Sequence, residues 1–146
     1  MVAKVRVRGR VAWKPNLFID AAGSVLGRMA SYATKQALLG KTVAVLNCEK
    51  VMVSGNKNTT ITEFKVMRLR GGHSLNGPFY PKHPARIVKR TIRGMLRYTM
   101  GRGEAAFNRV RCFDGIPAQF KDEKKVSFAK HLNTQSISLA DLGRQL

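Results

Sequence analysis

The stretch LFIDAAGSVLGRMASYATKQALLGKTVAVL, residues 17–46, decides the fold. Leu17-Phe18-Ile19 is a short apolar run, and Asp20 to Ser24 reads as a turn. Ser24 stands where it can cap the helix that follows, which is expected to run to about Leu39. Gly40 occupies the position of a left-handed C-terminal cap. At 100° per residue, Leu26, Ala30, Ala33 and Ala37 share one narrow face of small side chains, with Arg28 and Lys35 opposite. Thr42-Val43-Ala44-Val45-Leu46 then reads as a buried strand. Strand, helix and apolar strand in succession define a parallel α/β unit, with a right-handed crossover.

Beyond this unit, Val51-Met52-Val53 predicts another short strand, and 64–70 a basic helical piece. Residues 71–78 have loop composition. Pro84 fits the first turn of a helix over 85–98. A second short helix is expected at 103–110, a last strand near Cys112-Phe113, and a short terminal helix over 138–142. The stretch 118–135 is polar and loosely patterned. The chain of 146 residues is long enough for one core without disulfide or metal. The expected organisation is a basic extension over 1–16, rich in Lys4, Arg6, Arg8 and Arg10, followed by a single α/β domain over 17–146.

Charge narrows the function. Lys and Arg number 27 against 8 Asp and Glu, a net charge of +19. A compact body this positive repels itself, and a polyanion relieves the cost. Nucleic acid is the best such partner, because phosphate neutralisation dominates its binding. On the helix expected at 85–98, Arg86, Arg90, Arg93 and Arg97 step by four, three and four and fall on one face, with Lys89 on the flank. Ile87, Val88, Ile92, Met95 and Leu96 lie on the other. Solvated helix faces usually mix in acids, yet Glu104 is the only acid between Lys65 and Arg111. Guanidinium groups match phosphate oxygens in planar, two-pronged fashion. The candidate nucleic-acid contacts, to RNA or DNA, are therefore this row with Lys82, Arg102, Arg109 and Arg111. Arg68, Arg70, Arg28 and the four basic residues of the extension add to them.

Other chemistries find no support. Gly23 to Arg28 follows a strand and opens a helix but fits neither nucleotide-binding glycine pattern, so no cofactor is expected. Cys48 and Cys112 lack the spacing of a zinc site and read as small buried hydrophobes. His73, His83 and His131 have neither ligand spacing nor an acid partner, so no metal site and no catalytic group is expected. Asp114 reads as a turn residue. No run approaches the ~18 apolar residues of a membrane span. No apolar block follows the basic start as a secretory leader would need, and with no membrane span, cofactor pattern or acid–base pair in the sequence, neither a membrane partner nor a small-molecule substrate is expected.

Several ordered blocks are more specific. Ile19-Asp20-Ala21 with Leu26-Gly27-Arg28-Met29-Ala30-Ser31, then Cys48-Glu49-Lys50 with Ser54-Gly55-Asn56, begin the series. Gly77-Pro78-Phe79-Tyr80-Pro81, Arg90-Thr91-Ile92-Arg93-Gly94-Met95-Leu96, Arg102-Gly103 and Phe113-Asp114-Gly115-Ile116-Pro117 complete it. In order and spacing, over about 17–120, they resemble the large-subunit ribosomal protein thirteen family in its archaeal or eukaryotic form. The resemblance implies a three-layer α/β/α fold with a four-stranded parallel sheet of order 3-2-1-4. It also implies large-subunit rRNA and neighbouring ribosomal proteins as partners, a part in subunit assembly, a cytosolic location and no enzymatic activity. The alternative is a free-standing RNA-binding translational regulator. Arg97 departs from the family pattern, which has proline there, so the helix is expected to run further in this chain.

Overall fold

The computed structural model describes residues 13–70, 77–129 and 133–146. Lys4, Arg6, Arg8, Arg10, His73 and His131 lie outside them. Strand β1 (Leu17–Asp20) leads into helix α1 (Leu26–Leu38) and strand β2 (Val43–Leu46). A 3-10 turn at Cys48–Lys50 precedes β3 (Met52–Ser54) and α2 (Lys57–Leu69). Helices α3 (Pro84–Met95) and α4 (Gly101–Arg109) follow, then β4 (Val110–Cys112), β5 (Lys125–Ser127), β6 (Ser136–Ser138) and α5 (Leu139–Gln145).

Four strands form a parallel sheet in the order β4-β2-β1-β5. Numbered among themselves in chain order they read 3-2-1-4, as the family resemblance implies. β3 stands outside this sheet and pairs antiparallel with β6.

Side chains alternate across the sheet, as the two-residue period requires. Ile19, Val43, Val45 and Val110 face one core, shared with α1, α3 and α5. Phe18, Ala44 and Leu46 face the other side, covered by Trp13, Phe113 and Phe120. These rings pack in tilted and edge-on pairs at centroid distances of 5.2–6.5 Å. The connection from β4 to β5 moves back across the sheet, so the right-handed rule sends it to the face opposite α1. Its cover there is thin, one 3-10 turn at Ala118–Phe120 and its aromatic neighbours. Trp13 donates its indole N–H to the Arg109 carbonyl, and Asn16 and Thr42 exchange backbone and side-chain bonds, so the chain joins the sheet from Trp13 onward.

The small face of α1 is used as the sequence predicts. Ala30, Ala33 and Ala37 are fully buried, joined by Met29. They allow both α3 and α4 to close onto α1. At its end the Gly40 amide donates to Ala37 and the Lys41 amide to Gln36, a Schellman closure with Gly40 at φ +96°. Ser24 does not cap. Val25 holds the cap position, and the Ser24 hydroxyl donates to the Ala21 carbonyl at 2.7 Å, closing the turn.

Helix α3 is shorter than its periodicity predicts. It ends at Met95, because Leu96 adopts extended backbone (φ −106°, ψ 143°) and turns into the core. Arg97 therefore sits in the α3–α4 turn and not on the helix, and Met95 is exposed. The turn is compressed against α4: a Cβ on Gly103 would overlap the Arg97 carbonyl. Further elements escape their expected bounds. Helix α2 starts at Lys57, with Asn56 accepting from the Asn58 amide. β5 and β6 each centre on a single apolar residue, Val126 or Ile137.

The two cysteines meet where β2 ends beside β4. A hydrogen bond with the Cys112 thiol, and burial, push the Cys48 thiol far above its usual pKa, so it stays protonated and unreactive.

Gly103→Ala should lower the urea midpoint by an amount equivalent to about 1–3 kcal/mol, the usual cost of overpacking. An unchanged midpoint would show that the α3–α4 turn yields without cost.

Candidate nucleic-acid interface

Helix α3 is the most two-sided element of the fold. Ile87, Val88 and Ile92 are buried against α1 and β4, at roughly 1.5–3 kcal/mol of hydrophobic stabilisation each. Arg86 is exposed on the other side, with Lys89, Arg90 and Arg93 half-buried beside it.

The start of α3 is fixed by residues distant in sequence. Pro84, at the first helical position, has no N–H to satisfy. The Ala85 amide donates to Asp114 Oδ1 at 3.0 Å. The amides of Arg86 and Ile87 both donate to the His83 carbonyl. Positions N1 to N3 of the helix thus leave no unpaired N–H group. The other carboxylate oxygen of Asp114 lies 2.6 Å from His83 Nδ1. Asp114, which the sequence presents as a turn residue, is an N-cap supplied from beyond β4. On the opposite side α5 comes so close that a Cβ on Gly143 would stand 2.7 Å from the Lys82 carbonyl oxygen.

The cations of α3 rest on aromatic rings. Arg90 lies 3.8 Å from the Tyr80 ring centre, and its Nη1 donates to the Phe79 carbonyl at 3.2 Å. Lys89 Nζ sits 4.9 Å over Phe107, and Arg93 lies 5.1 Å from Tyr98. Each such contact is worth about 0.5–1 kcal/mol at an exposed site and restricts the cation's rotamers. Between the 79–81 segment and α3 runs a groove of about 350 Å³, lined by Phe79, Tyr80, Pro81, Arg86, Lys89, Arg90, Arg93 and Phe107. No carboxylate lines it. Among the described residues, the close contacts between acidic and basic side chains are His83–Asp114 and Arg144–Asp141, and neither involves a groove cation.

The other candidate cations are dispersed. Arg102 is exposed on the first turn of α4 and Arg97 on the turn before it. Lys82 is exposed just ahead of α3, and Arg28 on α1. Arg68 donates to the Leu146 carbonyl, and Arg70 ends α2. Arg109 has a structural tie, donating at 3.3 Å to the Ala37 carbonyl near the end of α1. Arg111 pairs in register with Ala44 and so projects from the sheet face opposite α3, stacked 4.7 Å from Trp13. It cannot join the α3 group.

Composition and periodicity place the arginines but not their aromatic seats. Phe107 and Tyr98 carry no sequence signal that connects them with Lys89 and Arg93. Phe79 and Tyr80, adjacent in the chain, part company: Tyr80 turns under Arg90 while Phe79 is 69% exposed.

Fold and site define a small α/β protein with a parallel sheet behind a cationic, aromatic-floored face. The model of the family "Ribosomal protein L13" matches residues 14–119. The large ribosomal subunit protein uL13 of Methanococcoides burtonii is 38% identical over 133 residues, 88% of this chain and 95% of that protein. Its counterpart in Methanosarcina barkeri is 44% identical over 112 residues, 76% of this chain and 79% of that protein. The chain belongs to the ribosomal protein L13 family of the large subunit, whose members are structural proteins and not enzymes. No helix among the described residues is long and apolar enough to cross a membrane.

Asp114→Ala should destabilise the fold by about 1–2 kcal/mol, the usual cost of a lost N-cap. Asp114→Asn, which keeps the acceptor oxygen, should recover most of it in urea titrations. Equal losses in both variants would assign the effect to the carboxylate contact with His83 Nδ1 instead of the cap.

Proposed function

We propose that this chain binds large-subunit rRNA as a structural part of the cytosolic ribosome and contributes to assembly of the subunit. The observation that carries the proposal is the α3 groove. Four cations, Arg86, Lys89, Arg90 and Arg93, are gathered on one face with no carboxylate to neutralise them. Their mutual repulsion is tolerated because the opposite helix face is anchored in the core, and it is relieved when phosphates arrive.

The roles within the group differ. Arg86, Lys89 and Arg93 meet phosphate directly. Arg90 contributes charge while holding the 79–81 segment through Tyr80 and the Phe79 carbonyl. Lys82, Arg97 and Arg102 extend the positive surface past both ends of α3, and Arg28, Arg68 and Arg70 add contacts on other faces. Arg109 acts by tying α4 to α1, and Arg111 serves a separate contact across the sheet. Lys4, Arg6, Arg8 and Arg10 belong to a basic extension that neutralises further phosphates, ahead of one rRNA-binding domain. Phosphate contacts position the protein, and RNA shape supplies specificity. Neighbouring ribosomal proteins complete its surroundings.

Two measurements test this. The chain should co-sediment with large subunits through a moderate-salt wash, and recovery only in the free pool would contradict the proposal. In vitro, the triple variant Arg86→Gln, Lys89→Gln, Arg93→Gln should reduce the log–log salt slope of RNA binding by about 2–3 units, at ~0.7–0.9 per phosphate contact. An unchanged slope would mean that the groove faces solvent.

A further inference from the structure

The α3 groove contains one residue that phosphate neutralisation does not explain. Phe79 is 69% exposed beside Arg86, Lys89 and Arg93. A phenylalanine ring left in water forgoes the hydrophobic gain of burial. The adjacent Tyr80 takes the inward place under Arg90.

Phe79 is held from two sides. Its carbonyl accepts from Arg90 Nη1 at 3.2 Å. Its ring lies against the bare backbone of Gly77, where an added Cβ would approach ring atoms to 3.1 Å. Gly77 has φ +81°, a conformation that other residues rarely adopt. The Phe79 backbone is thus tied to Arg90, and one side of its ring lies over Gly77 at the rim of a cationic groove.

We propose that this groove is a site for one unpaired RNA nucleotide, whose base stacks on Phe79 while its flanking phosphates meet Arg86 and Arg93. The proposal rests on the RNA-binding reading given above and refines it. A duplex backbone would satisfy the cations and leave the Phe79 ring in water, because paired bases hide their faces in the helical stack. Only an unstacked base in a loop, bulge or end offers its face to an aromatic side chain. The groove volume of about 350 Å³ falls within the range of small-ligand pockets. Phe79 has no hydrogen-bonding group, so the platform accepts any base, and stacking supplies about 1–3 kcal/mol.

The test uses the full chain and two labelled probes of equal phosphate number, an unstructured uridine-rich RNA strand and an RNA duplex. Phe79→Ala should weaken single-strand binding roughly 5- to 100-fold while leaving the salt slope unchanged, since no charge is removed. Duplex binding should stay unchanged. Phe79→Trp should bind the single strand like the parent, and Phe79→Leu, apolar but without a ring face, should be weakened like the alanine variant. The nucleotide site is overturned if Phe79→Ala binds the single strand normally, if duplex binding falls equally, or if leucine suffices. A parent chain that binds neither probe would overturn RNA binding itself, whereas normal binding by Phe79→Ala would remove only the nucleotide site.

Discussion

Everything on the cationic face depends on how the first turn of α3 is held. Four arginine and lysine side chains on one helix, with no acid among them, oppose helix formation on that face. The helix persists because its other face is anchored and its start is fixed from outside. Asp114 reaches from the end of β4 to the Ala85 amide, and Gly143 lets α5 close over the Lys82 carbonyl. A carboxylate at a helix N-terminus also sits favourably in the field of the aligned peptide dipoles. These two contacts tie α3 to the sheet and to the terminal helix, so its orientation is set by the fold as a whole.

The parallel sheet supplies the rigid support. Parallel strands need both faces covered. Here one cover is the α1, α3 and α5 side, and the other a thin layer of rings, Trp13, Phe113 and Phe120. The alanine face of α1 permits α3 and α4 to approach closely, and Gly103 permits the same where the α3–α4 turn crosses α4. Small residues at these points convert a short sequence into tightly stacked helices. The aromatic seats under Lys89, Arg90 and Arg93 then restrict where each cation can go. Net charge favours a polyanion as partner, and this seating gives the proposed contact a defined shape.

Much of this was legible in the residues before the fold. The β1–α1–β2 unit, the left-handed cap at Gly40, the buried face of α1 and the inward Ile87, Val88 and Ile92 all follow from local periodicity and turn chemistry. What was not legible depends on distant contacts. The helix period over 85–98 continues through Arg97, yet packing of Leu96 and the closeness of Gly103 end α3 at Met95. β5 and β6 hold one apolar residue each because a strand with a single paired neighbour needs no apolar run. Asp114 looks like any turn aspartate until β4 places it against α3. Ser24 has the right chemistry for a cap, but the Ala21 carbonyl takes its hydroxyl. The cations divide in the same way. Those on α3 were readable from spacing, while the structural tie of Arg109 and the opposite-facing Arg111 emerge only once the sheet is assembled.

The order 3-2-1-4, the ordered sequence blocks and the family match converge on the ribosomal protein L13 family, and the central proposal within it is that α3 and the 79–81 segment form the face that meets rRNA. The most direct test is ultraviolet cross-linking of the protein inside purified large subunits, with the attached peptides identified by mass spectrometry. The account predicts that RNA-linked peptides concentrate on residues 77–93. Cross-links confined to other faces, such as the outer side of α2 or the exposed end of α1, with none on 77–93, would contradict it.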